Sequence, residues 1–414
     1  MQSNALQPIQ QKQRIVIIDI LRGWALLGVA LMNYVDYFYM GMDWSKFKPD
    51  VLTNILMMVG NIFFAAKSWT LLSFLFGYGF SVLMQNVEAK GINPTMFFAR
   101  RMFWLFILAL INSAFFWGDI LKDYAVMGMV ILMFHRCRAR TAFIISLVLL
   151  FLTPAVAAYI SSIHRPGGMD LLKPYFYLFE SSNPIKVLWF GLLGTYLYEI
   201  VSLNYLVTVH VIMLSLFFFG MAAQKSGFLA RIHENRKYVK RIFWISLGVV
   251  LLMIALYMIT DKLKWTWTKY YNPFYFIIIG SMLFIASSIC WLFISGKLKA
   301  FFRSMQVIGK MTLTNYITQN ALALLLFSGI GLSFSLNNRI HYGYYLLFAL
   351  VIYIIQVFIS KWWLKRYQFG PIEWVWRQLS YAKRLPIKKQ DALEEAASEK
   401  EIITGDEPIV EKTD

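Results

Sequence analysis

Two aspartates, Asp119 and Asp123, stand four residues apart in the segment FFWGDILKDYAVMG (115–128). Four residues is close to one helical turn, so both carboxylates fall on one helix face. Carboxylates so placed beside hydrocarbon repel unless a cation stands near, and Lys67 is the expected counter-ion. His210 lies inside another apolar stretch, and an ordinary imidazole pKa of about 6.5 suits it to take up a proton near neutral pH. Asp119, Asp123 and His210 are therefore the candidate catalytic or proton-relaying groups. The plainer alternative for His210 is a core histidine satisfied by a neighbouring carbonyl.

A second set of polar residues reads as binding groups. DILRGWALLG (19–28) places Asp19 and Arg22 three apart on one face, and Asn33 follows 14 residues after Asp19. GKMTLTNYITQN (309–320) offers Thr312, Asn315 and Gln319 as a single stripe, and FGPIEWVWRQLSY (369–381) adds Glu373 and Arg377, four apart. Each has a structural alternative. Asp19–Arg22 would fix a helix at the headgroups, and Asn315 with Gln319 would glue two helices together. The last motif would form an interfacial foot, with Trp374 and Trp376 at headgroup level. Gly77 and Gly79 of LLSFLFGYGF (71–80) read as helix-packing glycines, because no phosphate loop surrounds them. Cys137 and Cys290 lack metal-site spacing and read as reduced structural thiols. Neither a metal nor a bound cofactor is expected.

The elements that must position these groups are membrane helices. Of 414 residues 59% are hydrophobic and 15% charged, too little charge to cover a soluble surface. Apolar runs at 15–40, 66–86, 98–117, 122–136, 141–162, 203–224, 242–261, 272–296, 309–330 and 343–364 read as spans. The first lacks a cleavage site and reads as a retained anchor. Every second loop is basic, with Lys262, Lys264 and Lys269 the exception. The fold class is thus an all-α polytopic transmembrane bundle of about ten spans with both termini cytoplasmic. This topology explains the net charge of +18 without nucleic acid. Residues 1–14 form a cytoplasmic segment, 15–366 the bundle with an external loop 163–202, and 367–390 a juxtamembrane foot. Residues 391–414 carry nine acids against two lysines and read as a disordered tail. Residues 51–65 join the second span, yet one helix from 51 to 86 would be roughly 50 Å long, so a bend near Lys67 is expected. The stretch IKVLWFGLLGTYLYEI in the external loop reads as a helix in the outer interface. By depth, the residues divide into one polar cluster near each face with a path between.

The order DILRG, SFLFGYGF, WGDILKDYA, GKMTLTNY, FGPIEWVWR, spread from Arg14 to Tyr381, resembles the YeiB-like family of bacterial inner-membrane proteins, a family of unknown function. Through the DxLRG opening it is distantly similar to transmembrane acyltransferases, the acyltransferase-3 proteins that decorate envelope sugars and the lysosomal heparan glucosaminide acetyltransferase. The resemblance implies a bacterial cytoplasmic membrane setting, an acyl-CoA-type donor as substrate, and an envelope lipid or glycan as acceptor. It also marks a departure. Acyltransferase-3 proteins carry a histidine 14 residues after the motif aspartate, and counting from Asp19 arrives at Asn33. An amide orients groups by hydrogen bonds but is no base at neutral pH, so His210 or the Asp119/Asp123 pair would have to serve. The competing expectation is a transporter of a small polar or anionic solute, with the carboxylates and His210 relaying protons. The oligomeric state is not legible.

Overall fold

The helices begin where the chain supplies caps. Asn93 accepts from the Thr95 and Met96 amides with Pro94 behind it, and Asp50 and Asn183 cap their helices in the same way. In the computed structural model, residues 15–40, 42, 47–163, 167–333 and 340–389 are described. The expected N-terminal segment 1–14 and acidic tail 391–414 lie outside them. The helices are α1 (Val16–Tyr39), α2 (Val51–Phe63), α3 (Lys67–Glu88), α4 (Pro94–Phe115), α5 (Leu121–Leu132) and α6 (Ala139–Ser162). After them come α7 (Gly168–Leu172), α8 (Phe176–Phe179), α9 (Pro184–Thr195) and α10 (His210–Lys225). The chain ends with α11 (Arg236–Lys262), α12 (Phe274–Ile294), α13 (Lys299–Lys310), α14 (Thr312–Phe327), α15 (Tyr342–Arg366) and α16 (Pro371–Tyr381). Among the described residues the only β pairing is an isolated bridge, Tyr367 to Lys388. The protein is an all-α polytopic membrane bundle.

Among the described residues, eight helical runs are long and apolar enough to cross a membrane. Two of the ten expected spans are shorter. The expected span 122–136 is the 12-residue α5, about 18 Å long, and 309–330 is the 16-residue α14, about 24 Å long. Met311 breaks the helix before α14, so Lys299–Lys310 forms the separate amphipathic α13. The bend expected near Lys67 is present: Ala66 takes φ 62°, in the left-handed region, and α2 and α3 diverge there.

Contacts sort the helix ends onto two faces. Lys225 donates to the His135 and Cys137 carbonyls, His135 stands 3.6 Å from Glu88, and the Arg101 guanidinium lies 3.7 Å over the Trp376 ring. This face gathers the basic loops and is called the basic face below. The opposite face holds an aromatic core of Tyr34, Tyr37, Phe116, Trp117, Phe179, Phe327 and Tyr345. The stretch read as an outer-interface helix packs one face onto this end and leaves Ile185, Trp189 and Tyr196 exposed on the other. The Gly329 amide donates to the Phe179 carbonyl at 2.9 Å, and Gly191 of α9 packs on the backbone of Ser113 and Ala114. Glycine sets the tightest crossings. Gly77 meets the Phe217 backbone and Gly220 the Phe74 backbone between α3 and α10. Gly23 meets Met305, and Gly309 meets Asp19, between α1 and α13.

Candidate functional site

The α4–α5 hairpin turns back inside the bundle. α4 ends at Phe115, and after five intervening residues α5 starts, with Asp119 accepting from the Leu121 amide at 3.2 Å. The same carboxylate accepts from Asn112 Nδ2 at 2.8 Å and from the Tyr316 hydroxyl at 3.1 Å. Asp119 is fully buried. Since α5 runs only about 18 Å to the basic face, Asp119 and Asp123 stand little beyond the middle of a hydrocarbon layer about 30 Å thick.

Lys122 is the cation of this cluster. Its ammonium donates to the Asp119 carbonyl at 2.8 Å and to Asp123 Oδ1 at 3.2 Å, and it pairs with the buried Glu199. Asp123 also accepts from the Tyr205 hydroxyl at 2.9 Å and faces His210 Nε2 at 3.3 Å. Glu199 and Tyr205 come from two short π-helical segments, 196–201 and 204–209, that widen the backbone just before α10. Such segments recur at functional sites. His210 Nδ1 lies 2.5 Å from the Leu206 carbonyl, which can only accept, so Nδ1 carries a hydrogen. Its Nε2 then faces Asp123 with a proton between them, on one side or the other. Three carboxylates thus meet Lys122 and His210, one negative charge in excess when both are cationic. Asp119 Oδ2 and Glu199 Oε1 are buried without a hydrogen-bond partner among the described residues. A proton on Asp119 would leave the cluster neutral.

A chain of amides runs from this cluster to α1. Asn33 donates to Asn320 at 3.1 Å, Asn320 to Asn112 at 3.2 Å, and Asn112 to Asp119. Asn33 therefore orients its neighbours, the role open to an amide.

On the other side of Tyr316 lies a cavity of about 440 Å³. Arg22, Arg101, Lys310 and Arg377 line it toward the basic face, with Asp19 and Glu373. Leu26, Leu72, Leu75, Phe76 and Leu105 line it deeper, and Tyr124 and Tyr316 stand at the cluster end. Asp19 lies 3.7 Å from Arg22, whose guanidinium lies over Gly79. Glu373 accepts from the Leu313 and Thr314 amides at 2.6 and 3.0 Å and from the Thr314 hydroxyl. Burial pushes the Glu373 carboxyl up from its ordinary range, while these hydrogen bonds act against that shift. With Asp19 paired and Glu373 capping α14, the mouth presents positive charge suited to an anion.

Several expected residues take other places. Lys67 donates to the Asn61 carbonyl at 2.5 Å and forms no ion pair with Asp119 or Asp123, because Lys122 already occupies that position. Glu373 finds partners on α14. Arg377 lies 4.4 Å over the Phe369 ring. In the α14 stripe, Asn315 bonds Ser360 and Gln319 bonds Gln356 of α15, so these two are helix glue. Thr312 donates to the Gly309 carbonyl and lines the cavity. The neighbouring face, Tyr316 and Asn320, is the one that reaches Asp119 and Asn33. Asn112, Lys122, Glu199, Tyr316, Asn320 and Arg101 were not singled out by sequence reasoning. Glu199 had a signal, as an acid in an otherwise apolar stretch, and Lys122 another, as the cation between the two aspartates.

The family model described as a protein of unknown function, DUF418, matches residues 223–383. The uncharacterized protein YxaH of Bacillus subtilis (strain 168) is 27% identical, over 94% of this chain and 99% of its own. The uncharacterized protein YeiB of Escherichia coli (strain K12) is 25% identical, over 89% and 96%. The chain is similar to these two proteins over most of its length. An uncharacterized 39.9 kDa protein from the amylase 3' region of Bacillus acidopullulyticus is 29% identical to this chain, over 92% and 98%. No solved structure matches.

Proposed function

We propose that this chain is an acyltransferase-like protein of the bacterial cytoplasmic membrane, with the basic face cytoplasmic. An acyl-CoA-type donor would enter the 440 Å³ cavity and hand its acyl group to a hydroxyl or amine on an envelope lipid or glycan. One observation carries the reading: a single cavity joins a cationic mouth to an apolar interior and ends at Tyr316, which is bonded to Asp119. Phosphates suit Arg22, Arg101, Lys310 and Arg377, and an acyl chain suits the leucines above them. In the transfer, the acceptor oxygen or nitrogen bonds the acyl carbon, the carbon–sulfur bond breaks, and the acceptor's proton passes to the cluster. At the inner end of the cavity the proton would pass through Tyr316 to Asp119, which must be ionised at that step. His210 takes part only after losing the proton it shares with Asp123.

A second reading, transport of a small polar or anionic solute, is favoured by the excess carboxylate charge and by the amide chain from Asn33 to Asp119. Mass spectrometry of envelope lipids and glycans in a deletion strain separates the two. The expected result is one species lacking an acyl group, restored by the wild-type gene and not by Asp119→Asn. Accumulation of an unmodified small solute with the envelope intact would overturn transfer in favour of transport.

A further inference from the structure

A second cavity, of about 410 Å³, lies on the other side of α3 from the first. Phe74 of α3 faces this one, while Leu72, Leu75 and Phe76 face the other. Its walls come from the α6–α10 pair and the α11–α12 pair, with Phe143, Phe219, Ala222, Ile242, Ala286 and Cys290 among them. Almost every lining side chain is apolar, so no hydrated solute would be held there. Its side toward the bilayer is formed by α6 and α11, where Phe143 is exposed and most of α11 lies outside the bundle.

The polar atoms are confined to one end. Arg140, exposed at the start of α6, lines the mouth together with Ser226. Among the described residues Arg140 makes no ion pair or hydrogen bond. Arg231, not itself part of the lining, stands beside that mouth, donating to the Ser226 carbonyl at 3.1 Å. An apolar slot open beside the bilayer, with the Arg140 guanidinium at its polar end and Arg231 close by, suits a ligand with an apolar chain and an anionic head.

We propose that this crevice is a specific site for an anionic phospholipid, one acyl chain lying between α6 and α11 and the phosphate against Arg140 and Arg231. The bound lipid would fill the gap between the two helix pairs, and its site is separate from the cavity assigned to the acyl donor. The inference stands whether or not the protein transfers acyl groups.

Native mass spectrometry of the full chain in mild detergent, titrated with phosphatidylglycerol or phosphatidylcholine, tests it. We expect one tightly held phosphatidylglycerol, retained at least five-fold better than phosphatidylcholine. Arg140→Gln, a surface change that leaves the walls intact, should remove that preference. Ala286→Trp should fill the slot and abolish retention of both lipids, while Leu251→Trp on the exposed face of α11 should change neither. Equal retention of the two lipids by the wild type, or undiminished binding in a folded Ala286→Trp protein, overturns the proposal. If Ala286→Trp does not fold, the Arg140→Gln result alone decides.

Discussion

The Tyr316 hydroxyl donates to Asp119 across 3.1 Å while its ring lines the cavity that opens toward Arg22 and Arg377. One side chain therefore belongs to both the apolar chamber and the charged cluster. Tyr316→Phe keeps the wall and removes the bond. It should leave the melting temperature within a few degrees of wild type and lower any donor-dependent activity or envelope phenotype. Undiminished activity would detach the cavity from Asp119.

Lys122, not Lys67, should be the cation whose loss matters. Breaking a buried pair by removing one partner costs about 3–5 kcal/mol, so Lys122→Met should sharply reduce folded yield. Adding Glu199→Gln should recover part of it, since fewer unpaired carboxylates remain. Lys67→Met loses one charge-assisted hydrogen bond, worth about 1.5–3 kcal/mol. Its effect should simply add to that of Asp123→Asn. Fluorescence-detected size exclusion during heating reads these variants and the Lys67→Met, Asp123→Asn double, and coupling between Lys67 and Asp123 would show the pairing to be misassigned.

Gly23→Ala or Gly309→Ala should wedge α1 from α13, because a methyl at either position overlaps backbone of Met305 or Asp19. Overpacking of this kind costs about 1–3 kcal/mol, and here it also displaces Arg22 and Lys310 from the cavity mouth. Gly248 on α11 has open space around it and is the control, so Gly248→Ala should be neutral or mildly stabilising. Equal melting curves for all three would contradict the close crossing.

Glu373 should make stability fall as pH rises. Its folded pKa lies above the ordinary carboxyl value of about 4.3, so the folded state holds the proton more tightly than the unfolded state. Its relative contribution is most favourable below that ordinary value and is lost as pH climbs through the raised one. Glu373→Gln removes the titration, so the wild type should lose melting temperature relative to the variant across the window beginning near pH 4. A difference of opposite slope would mean that the hydrogen bonds from α14 outweigh burial.

Reporter fusions should place the ends of the loops after Arg140 and Lys237 in the cytoplasm and Gly168 outside. A cytoplasmic reading at Gly168 would invert the bundle.

Much of this fold is legible in the chain because bilayer physics leaves few options. Apolar length marks the helices, and the excessive length of 51–86 forecasts the bend found at Ala66. Asp119, Asp123 and His210 are visible as ionisable groups in apolar surroundings, and the structure brings them together. Their partners are harder to read. Lys122 reaches Asp123 although adjacent residues point apart on an ideal helix, because its long stem folds back at the first turn of α5. Glu199 arrives from a π-helical segment in a distant loop, whose register no 3.6-residue period describes. On α14 the stripe is real but two-sided, and only tertiary packing decides that Tyr316 and Asn320 face the centre while Asn315 and Gln319 face α15.

The brevity of α5 has an electrical consequence. A helix of 12 residues sets the cluster partway through the insulating layer rather than at its edge. Any proton that leaves Asp119 for the basic face crosses only a fraction of the membrane voltage. At about 2.3 kcal/mol per charge per 100 mV for a full crossing, half of that depth is worth roughly 1 kcal/mol. Whatever step moves that proton would then run several-fold faster or slower as an energised cell loses its potential, so turnover in sealed vesicles should respond to valinomycin and potassium.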